Sequence, residues 1–295
     1  MTAHLTRVKT RMSIHAHRKV RGLLEGEYAS LLTGRSMDFN DLRTYVRGDD
    51  VKDIDWKASA RSRSLLVKRY AAVRKHTIMV AASTGRSMAA MNDIAVPKRD
   101  LAITVAGIIG YLAVKHGDQV SLAHGHADKQ WLMPPAGGEL NLEKRLEAIH
   151  ATTRVDGPRS DLHAVLRFVA RNVRRRAILL IVSDEYAVDE ELATALRRLT
   201  VQHEVLFVSI GDLDPTDAPD LRHLVDIDTG DLVPEWARND RQLHEEFVAM
   251  TRAEATGMRR RLDSLGVVHA HVHDTESAVH AVLRLLERHR HAGRR

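Results

Sequence analysis

The most constraining feature of this sequence is a run of five apolar residues, Ile-Leu-Leu-Ile-Val, at positions 178–182. In a strand, successive side chains point to opposite faces of the sheet, so this run must be covered on both faces. Parallel sheets that are flanked by helices bury their central strands in this way. The run therefore predicts a central strand of a parallel sheet in an α/β fold.

Similar apolar segments recur after residue 77 and alternate with longer helical stretches, which is typical of βαβ units. The pattern predicts a doubly wound, mostly parallel sheet in residues 77–295 and an N-terminal appendage in residues 1–76. Residues 132–138, with two prolines and two glycines, are expected to form a loop after a short edge strand. The predicted strands are 77–83, 119–124, 177–183, 204–210 and 267–273, and the predicted helices are 15–32, 87–116 with a break near Pro97, 140–152, 161–174, 189–200, 240–266 and 277–291.

Acidic and basic side chains surround three large rings between residues 39 and 61. This density of opposite charge favours bidentate, partly desolvated ion pairs, and we expect Tyr45 and Trp56 to anchor them to a core. The alternative is a solvated, charged turn with one buried aromatic residue, because surface ion pairs are common and weak. Four carboxylates, Asp49, Asp50, Asp53 and Asp55, lie among the cations Arg43, Arg47, Lys52, Lys57 and Arg61.

Composition excludes several classes of protein. The 295 residues include no cysteine, so the chain has no disulfide framework, no thiolate metal site and no cysteine nucleophile. The first 19 residues lack the apolar segment of a secretory signal, and the longest apolar run, 101–114, is shorter than the roughly 20 residues of a membrane span. We therefore expect a cytoplasmic protein in which the run 101–114 forms a buried helix.

The net charge of +6 is compatible with an acidic partner or an anionic surface. Aromatic residues make up only 4% of the chain, which leaves few rings for stacking on nucleic-acid bases. The arginine clusters at 174–176, 259–261 and 288–295 have no nucleic-acid-binding motif beside them, and the first follows a predicted helix end, where cations complement the dipole. These features therefore do not indicate a nucleic-acid partner.

A doubly wound sheet predicts where a ligand would bind. Ligands sit outside the carboxyl ends of the strands, at the point where the strand order reverses. Here that point is expected between the strands 77–83 and 177–183. The segments that follow these strands, 83–88 and 183–186, are small and polar, and the loop 157–162 is expected to reach the same crevice.

The charged segment resembles the hallmark of a bacterial family, domain of unknown function 58. The matching residues are Asp38-Phe39, then Asp41-Leu42-Arg43-x-Tyr45-x-x-Gly48-Asp49-Asp50-x-x-x-Ile54-Asp55-Trp56, then Ala60-Arg61. In that family the segment precedes a von Willebrand factor A-like domain, which is a doubly wound α/β fold, and the resemblance spans about residues 20–275. It implies a partner, a MoxR-type AAA+ ATPase, for which such proteins are thought to act as adaptors in chaperone-like assembly or activation of other proteins.

The resemblance also implies where a metal would bind. Many von Willebrand factor A-like domains carry a metal-ion-dependent adhesion site built on Asp-x-Ser-x-Ser, with a Thr from a second loop and an Asp from a third. The corresponding positions here are Ser83, Gly85, Ser87, Ser160 and Asp184, so one carboxylate and one hydroxyl are missing. Mg²⁺ requires near-ideal octahedral oxygen coordination, and the neighbouring Arg86 adds a cation. We therefore expect a degenerate site without a cofactor, in which Ser87, Ser160 and Asp184 are weak candidate Mg²⁺ ligands that Asp161 could supplement.

The same residues also have a structural interpretation, which we favour. Ser87 and Ser160 can cap helix N-termini by accepting hydrogen bonds from backbone N–H groups. Asp184 can act in the same way or can pair with Arg86 across the crevice. These roles need no ligand.

A second possible metal site consists of His269, His271 and His273, which alternate along a predicted strand and would share one face. The chain contains 18 histidines, so such spacing is also expected by chance. An exposed face of an edge strand is the preferred interpretation.

The sequence contains no P-loop, no Gly-x-Ser-x-Gly elbow and no His-Glu-x-x-His helix, so no motif indicates an enzyme. We expect a non-enzymatic interaction module. The alternatives are a metal-dependent binding or hydrolytic protein that uses Asp184, Ser87 and the histidines, and a basic protein associated with nucleic acid.

Overall fold

The computed structural model describes residues 4–15, 18–33, 41–47, 49–51, 54–62, 64–69, 75–92, 95–184, 188–217, 223–238 and 240–292. The strands in these ranges are β1 (Asp41–Thr44), β2 (Leu66–Arg69), β3 (Thr77–Ser83), β4 (Gln119–Gly125), β5 (Gln130–Ala136), β6 (Ile178–Asp184), β7 (Glu204–Ile210) and β8 (Val268–Val272). The α-helices are α1 (His4–His15), α2 (Arg18–Thr33), α3 (Trp56–Ser62), α4 (Lys98–Lys115), α5 (Glu139–Thr152), α6 (Leu162–Asn172), α7 (Glu190–Gln202), α8 (Arg241–Ser264) and α9 (Thr275–Ala292).

Six strands form one sheet in the order β5-β4-β3-β6-β7-β8. Neighbouring strands are parallel, except that β4 and β5 are antiparallel. From β3 the chain continues to β4 on one side, and from β6 it continues to β7 on the other. This is the doubly wound α/β sheet that the sequence predicts, and every residue of β6 is buried, as expected of a central strand.

Helices cover both faces of the sheet. On one face α1, α2, α4, α5 and α9 form a hydrophobic core with strand residues such as Val80 and Leu180. On the other face α6, α7 and α8 pack on strand residues such as Met79 and Ile181. Consecutive residues of β6 therefore enter different cores, which is why the run 178–182 tolerates no polar side chain.

The apolar run 101–114 forms most of α4 and is buried along nearly its whole length. The predicted break near Pro97 is confirmed, because residues 86–89 form a short 3₁₀ turn and α4 begins only at Lys98. Within the described ranges, no helix is both long enough and apolar enough to cross a membrane.

The expectation of a loop at residues 132–138 is wrong. β5 continues to Ala136 through Pro134 and Pro135, and it pairs with β4 along its length with one register shift. Proline is tolerated here because β5 lies at the edge of the sheet, where one side of the strand has no ladder to complete.

The helix predicted over residues 15–32 corresponds to α2, whereas α1 has no counterpart in the prediction. Leu5, Val8 and Met12 of α1 and Leu24 and Tyr28 of α2 are buried in the same core as α4. By contrast, β1 and β2 form a separate two-stranded sheet. The domain boundary at residue 76 stays a prediction, although these two helices pack on the larger sheet.

One buried hydrogen bond fixes α2 to the sheet. The Tyr28 hydroxyl donates to Asp118 Oδ2 over 2.9 Å, and Asp118 Oδ1 accepts from His76 N over 2.9 Å. Burial raises the pKa of Tyr28, and the Asp118 carboxylate raises it further. The hydroxyl therefore stays protonated as the donor that satisfies a buried carboxylate.

We expect Tyr28→Phe to lower the free energy of unfolding by about 1–3 kcal/mol, because one oxygen of buried Asp118 loses its donor. Urea denaturation at neutral pH measures the change. Tyr111→Phe is the matched control, since the Tyr111 ring packs against Lys9 and survives the substitution. Equal losses in the two variants would contradict a specific role for the Tyr28 hydroxyl.

Candidate functional site

The predicted crevice lies at the carboxyl ends of β3 and β6, where the strand order reverses. The loop that follows β3 contacts the loop 157–160 closely. Arg86 N donates to Pro158 O over 2.8 Å, and a Cβ atom on Gly85 would lie 2.2 Å from Ser160 N. Gly85 is thus the point where the two loops touch, and the position cannot carry a side chain without displacing backbone.

Several hydroxyl groups surround this contact. Ser87 Oγ and Ser160 Oγ lie 2.5 Å apart and form a hydrogen bond. The hydroxyls of Ser83 and Thr84 are buried and have no hydrogen-bond partner in the described part of the chain. The structure therefore brings three of the predicted site residues, Ser83, Ser87 and Ser160, to the first two loops of the crevice.

The predicted capping roles of Ser87 and Ser160 are wrong. Ser87 lies inside the 3₁₀ turn, and the cap residue of that turn is Gly85. Asp161 caps α6 instead, because its carboxylate accepts from Ala164 N over 2.7 Å. The cap occupies Asp161 Oδ1, so its role as a supplementary metal ligand stays a prediction.

Asp184 meets a lysine that the sequence analysis did not identify. The Lys98 ammonium lies 3.5 Å from Asp184 Oδ2 and 2.7 Å from Asp212 Oδ2. The side chain of Lys98 is 1% exposed and that of Asp184 is 7% exposed, whereas that of Asp212 is 53% exposed. Ser183 Oγ adds a hydrogen bond to Asp184 Oδ1 over 3.1 Å. The buried carboxylate of the third loop is thus neutralised by a cation from the chain itself.

The position of Lys98 is electrostatically unusual. It is the first residue of α4, where the helix dipole disfavours a positive charge. Nearby carboxylates offset this unfavourable interaction, and Asp184 and Asp212 supply them. The available signal in the sequence is a lysine between Pro97 and the apolar run 101–114, which does not reveal its partners.

The predicted pairing of Arg86 with Asp184 is wrong. Arg86 Nε lies 2.9 Å from Asp228 Oδ1, and Arg159 Nη2 donates to Asp228 O over 3.1 Å. Asp228 belongs to a turn in which Asp226 accepts hydrogen bonds from Thr229 N and Asp228 N, and these bonds lower the pKa of Asp226. A segment between β7 and α8 therefore reaches the crevice and binds its two arginines.

These residues do not fit a magnesium ion. Ser83 stands where the adhesion-site motif has an aspartate, so Asp184 is the one anionic ligand left. Its carboxylate already faces the Lys98 ammonium. Gly85 has no room for the hydroxyl that its position would supply. An octahedral Mg²⁺ shell needs several oxygen ligands at 2.0–2.1 Å, and the ammonium beside Asp184 repels a second cation there.

The charged segment forms a small unit that we call the signature unit, which comprises the described residues between 41 and 69 and contains β1, α3 and β2. β1 and β2 pair antiparallel, and Asp55 caps α3 by accepting from Ala58 N over 3.0 Å. Leu66 N donates to Ser59 Oγ over 2.8 Å, which fastens α3 to β2. Hydrogen bonds thus hold the described part of this unit, in which Ile54 and Val67 are buried apolar residues.

One of the predicted ion pairs is present at the start of the unit. Arg43 Nη2 lies 2.5 Å from Asp49 Oδ1, and Val46 N donates to Asp49 Oδ2 over 2.9 Å. The hydrogen bond from Arg43 lowers the pKa of Asp49. Asp50 and Arg61 are exposed, whereas Gly48, Lys52 and Asp53 lie outside the described residues.

The predicted anchoring role of Trp56 is wrong. Its side chain is 63% exposed, while Tyr45 is partly buried. Two four-residue strands and one seven-residue helix have too few side chains to enclose an indole. The ring that seemed to belong to a core is therefore available at the surface.

The segment 41–69 and the crevice both lie in a region that matches one protein family. A family model described as protein of unknown function DUF58 matches residues 41–257. The chain belongs to the DUF58 family. Uncharacterised proteins of Mycobacterium bovis and Mycobacterium tuberculosis are 24% identical to this DUF58 chain over 256 residues, which cover 86% of this chain and 80% of each relative.

Two solved structures are similar to this DUF58 chain. One is an aerotolerance-related membrane protein from Bacteroides fragilis with multiple mutations to serines, with 16% identity, a TM-score of 0.44 and coverage of 72% of this chain and 99% of that one. The other is a von Willebrand factor type A protein from Catenulispora acidiphila, with 11% identity, a TM-score of 0.41 and coverage of 76% and 44%.

The histidines of β8 do not form the metal triad considered above. His271 Nε2 and His273 Nδ1 lie 3.3 Å apart, but His269 is buried and faces Asp263 at 3.6 Å. β8 is an edge strand, as predicted, yet its histidine face is only partly exposed. The His269 ring contacts Asp263 and the Val267 carbonyl.

Buried His124 and partly buried His271 make the stability of this DUF58 chain depend on pH. Burial, with a smaller contribution from His126, lowers the pKa of His124 to about 4, and burial with His273 lowers that of His271 to about 4. Both imidazoles are neutral in the folded protein, whereas the unfolded chain takes up their protons near pH 6.5. Their contribution is complete above that pH and is lost as the pH falls toward 4.

We expect the free energy of unfolding to fall by about 2 kcal/mol for each histidine between pH 6.5 and 5. Urea denaturation across this range measures the slope. His124→Gln should reduce the slope, whereas His223→Gln, at an exposed position, should leave it unchanged. An unchanged slope in His124→Gln would contradict the assignment.

Proposed function

We propose that this protein is a non-enzymatic docking module that binds a protein partner through the signature unit. The observation that carries this proposal is the exposure of Trp56, at 63%, on a unit held mainly by ionic and backbone hydrogen bonds. Exposed Trp and Arg side chains are the residue types most enriched at the energetic centres of protein interfaces.

Other exposed residues of the signature unit support the same proposal. Val46, Val51 and Leu65 of the signature unit are also exposed large apolar residues. Lys57, the second residue of α3, and Arg61, near its end, are also exposed. Apolar side chains with a charged rim are the usual composition of a non-obligate interface.

The crevice supports a role without catalysis. Its buried carboxylate is paired with Lys98, and its arginines Arg86 and Arg159 hold Asp228. Among the crevice residues that the structure describes, the Ser87 and Ser160 hydroxyls bond to each other and not to a base that would activate them. The charges of the crevice instead hold the ends of β3, β6 and the following segments together.

The proposed partner is a MoxR-type AAA+ ATPase, as the family resemblance implies, and the proposed compartment is the cytoplasm. The adaptor would present the signature unit to the ATPase and so take part in chaperone-like assembly or activation of client proteins. The metal-dependent alternative has no support in the crevice, where an ammonium faces the remaining carboxylate.

We expect the purified chain to bind a MoxR-type ATPase encoded in the same genome and Trp56→Ala to raise the dissociation constant by about 30-fold, as loss of an interface hot spot does. Trp236→Ala is the matched control, because Trp236 is 67% exposed but lies outside the signature unit. Size-exclusion chromatography and interferometry at low and moderate salt measure the binding.

Two results would overturn the proposal. One is the absence of a complex between the wild-type chain and the ATPase at both salt concentrations. The other is a complex that Trp236→Ala weakens and Trp56→Ala does not. Circular dichroism of Trp56→Ala distinguishes a lost contact from a lost fold.

A further inference from the structure

Three metal-ligating side chains meet where α1 packs on α5. His4 is the first residue of α1, and Glu147 and His150 lie one turn apart on α5. Each offers one ligand atom, and the three atoms lie within 4.8 Å of one another. His4 Nε2 is 3.0 Å from Glu147 Oε2, and the rings of His4 and His150 are 5.0 Å apart. None of these residues belongs to the crevice or to the signature unit.

The spacing of the pair on α5 suits a metal ion. Residues three apart on a helix lie on the same face, so Glu147 and His150 present a carboxylate and an imidazole side by side. Two imidazoles and one carboxylate, with a fourth position for water, are a ligand set that Zn²⁺ accepts in proteins. Mg²⁺ and Ca²⁺ prefer all-oxygen sites, so the two histidines favour a zinc-like ion.

The backbone of His4 is held in place independently of these ligands. Glu143, one turn before Glu147, accepts hydrogen bonds from His4 N over 2.8 Å and from Leu5 N over 2.6 Å. This carboxylate fixes the first turn of α1 on α5, so His4 reaches the pair with little remaining freedom. A ligand that is positioned before the metal arrives loses less entropy on binding.

Burial and charge also suit metal binding. The His4 side chain is 1% exposed, whereas that of Glu147 is 47% exposed, so the cluster has one buried wall and one side open to solvent. Glu147 supplies a negative charge, and neutral imidazoles supply the lone pairs that a zinc-class ion needs.

We propose that His4, Glu147 and His150 bind one zinc-class divalent ion, which fastens α1 to α5. The site is separate from the proposed docking surface, so its existence does not depend on the partner. An ion that binds the folded chain and not the unfolded chain raises the stability of the folded state. Without the ion, the close approach of His4 and Glu147 is an ordinary hydrogen-bonded pair.

The test uses the full-length chain without a polyhistidine tag, after chelation and desalting. Equilibrium dialysis against ZnCl₂, read by elemental analysis, should give one bound equivalent. Saturating Zn²⁺ should raise the melting temperature by roughly 5 °C when its concentration is a hundred-fold above the dissociation constant. Both effects should disappear in His150→Ala and in Glu147→Gln, the second of which preserves the shape of the side chain.

A matched control separates this site from other histidines. His273→Ala removes one member of the close His271–His273 pair on β8, and it should retain the zinc equivalent. Visible absorption of bound Co²⁺ gives an independent readout of nitrogen and oxygen ligation. The proposal is overturned if the wild-type chain binds no zinc, if both α5 variants bind it as the wild type does, or if the equivalent is lost with His273→Ala instead.

Discussion

Lys98→Met is expected to lower the free energy of unfolding by about 3–5 kcal/mol, because it leaves the carboxylate of Asp184 buried without a counter-charge. Asp212, the other partner of Lys98, is half exposed, and water can replace the ammonium there. The loss should therefore arise mainly at Asp184. Urea denaturation at pH 7 measures the change.

A double-mutant cycle tests this explanation. In Lys98→Met with Asp184→Asn, an uncharged amide replaces the buried carboxylate, so most of the lost stability should return. Asp184→Asn alone should cost less than Lys98→Met, because Lys98 keeps its 2.7 Å contact with Asp212. A Lys98→Met variant within 0.5 kcal/mol of the wild type would contradict the role assigned to the ammonium.

The same explanation has a consequence for divalent ions. If Lys98 takes the place of a cation, millimolar Mg²⁺ should leave the melting temperature of the wild-type chain unchanged. A rise that Asp184→Ala abolishes would show that the carboxylate binds a metal in spite of the ammonium. That result would restore the metal-dependent alternative.

Gly85→Ser is expected to cost about 3 kcal/mol or more, because its Cβ would lie 2.2 Å from Ser160 N and 2.6 Å from Arg159 C. These atoms are backbone, so they cannot move aside as the end of a flexible side chain can. The substitution would place a hydroxyl at the position where the adhesion-site motif has one. The crevice is therefore closed to this ligand by its own packing.

Gly257→Ala in α8 is the matched control for this substitution. Nothing lies within 4 Å of the Cβ position there, and alanine in a helix interior should stabilise the chain by about 0.5–1 kcal/mol. Thermal and urea denaturation measure both variants. If Gly85→Ser is as stable as the wild type, the loop 157–160 moves more easily than the close contact indicates.

The sheet and the position of the crevice could be predicted because both depend on features that are local in the sequence. The run 178–182 has to be a strand buried on both faces, and Pro97 has to interrupt the helical pattern. The point where the strand order reverses then follows from the order of strands and helices along the chain. For the same reason, the signature segment could be located although its burial could not.

Trp56 illustrates the limit of this reasoning. Its size and its charged neighbours predicted an anchor in a core, but burial depends on how many other side chains reach the same place. The signature unit offers two short strands and one short helix, and the indole remains 63% exposed. The type of an amino acid does not show how many other side chains pack around it in the folded chain.

The sequence by itself determined five of the six strands of the large sheet, the helices α2 and α4 to α9, and the burial of the run 178–182 on both faces, but not α1, α3, β1, β2 or the full length of β5. Only the tertiary structure decided which charges meet: Lys98 lies 86 positions from Asp184, and Arg86 lies 142 positions from Asp228. The physical reason is how far apart in the sequence the interacting residues lie. Strand and helix patterns arise from neighbours a few residues apart, whereas an ion pair requires the folded sheet to bring distant strand ends within a few ångströms.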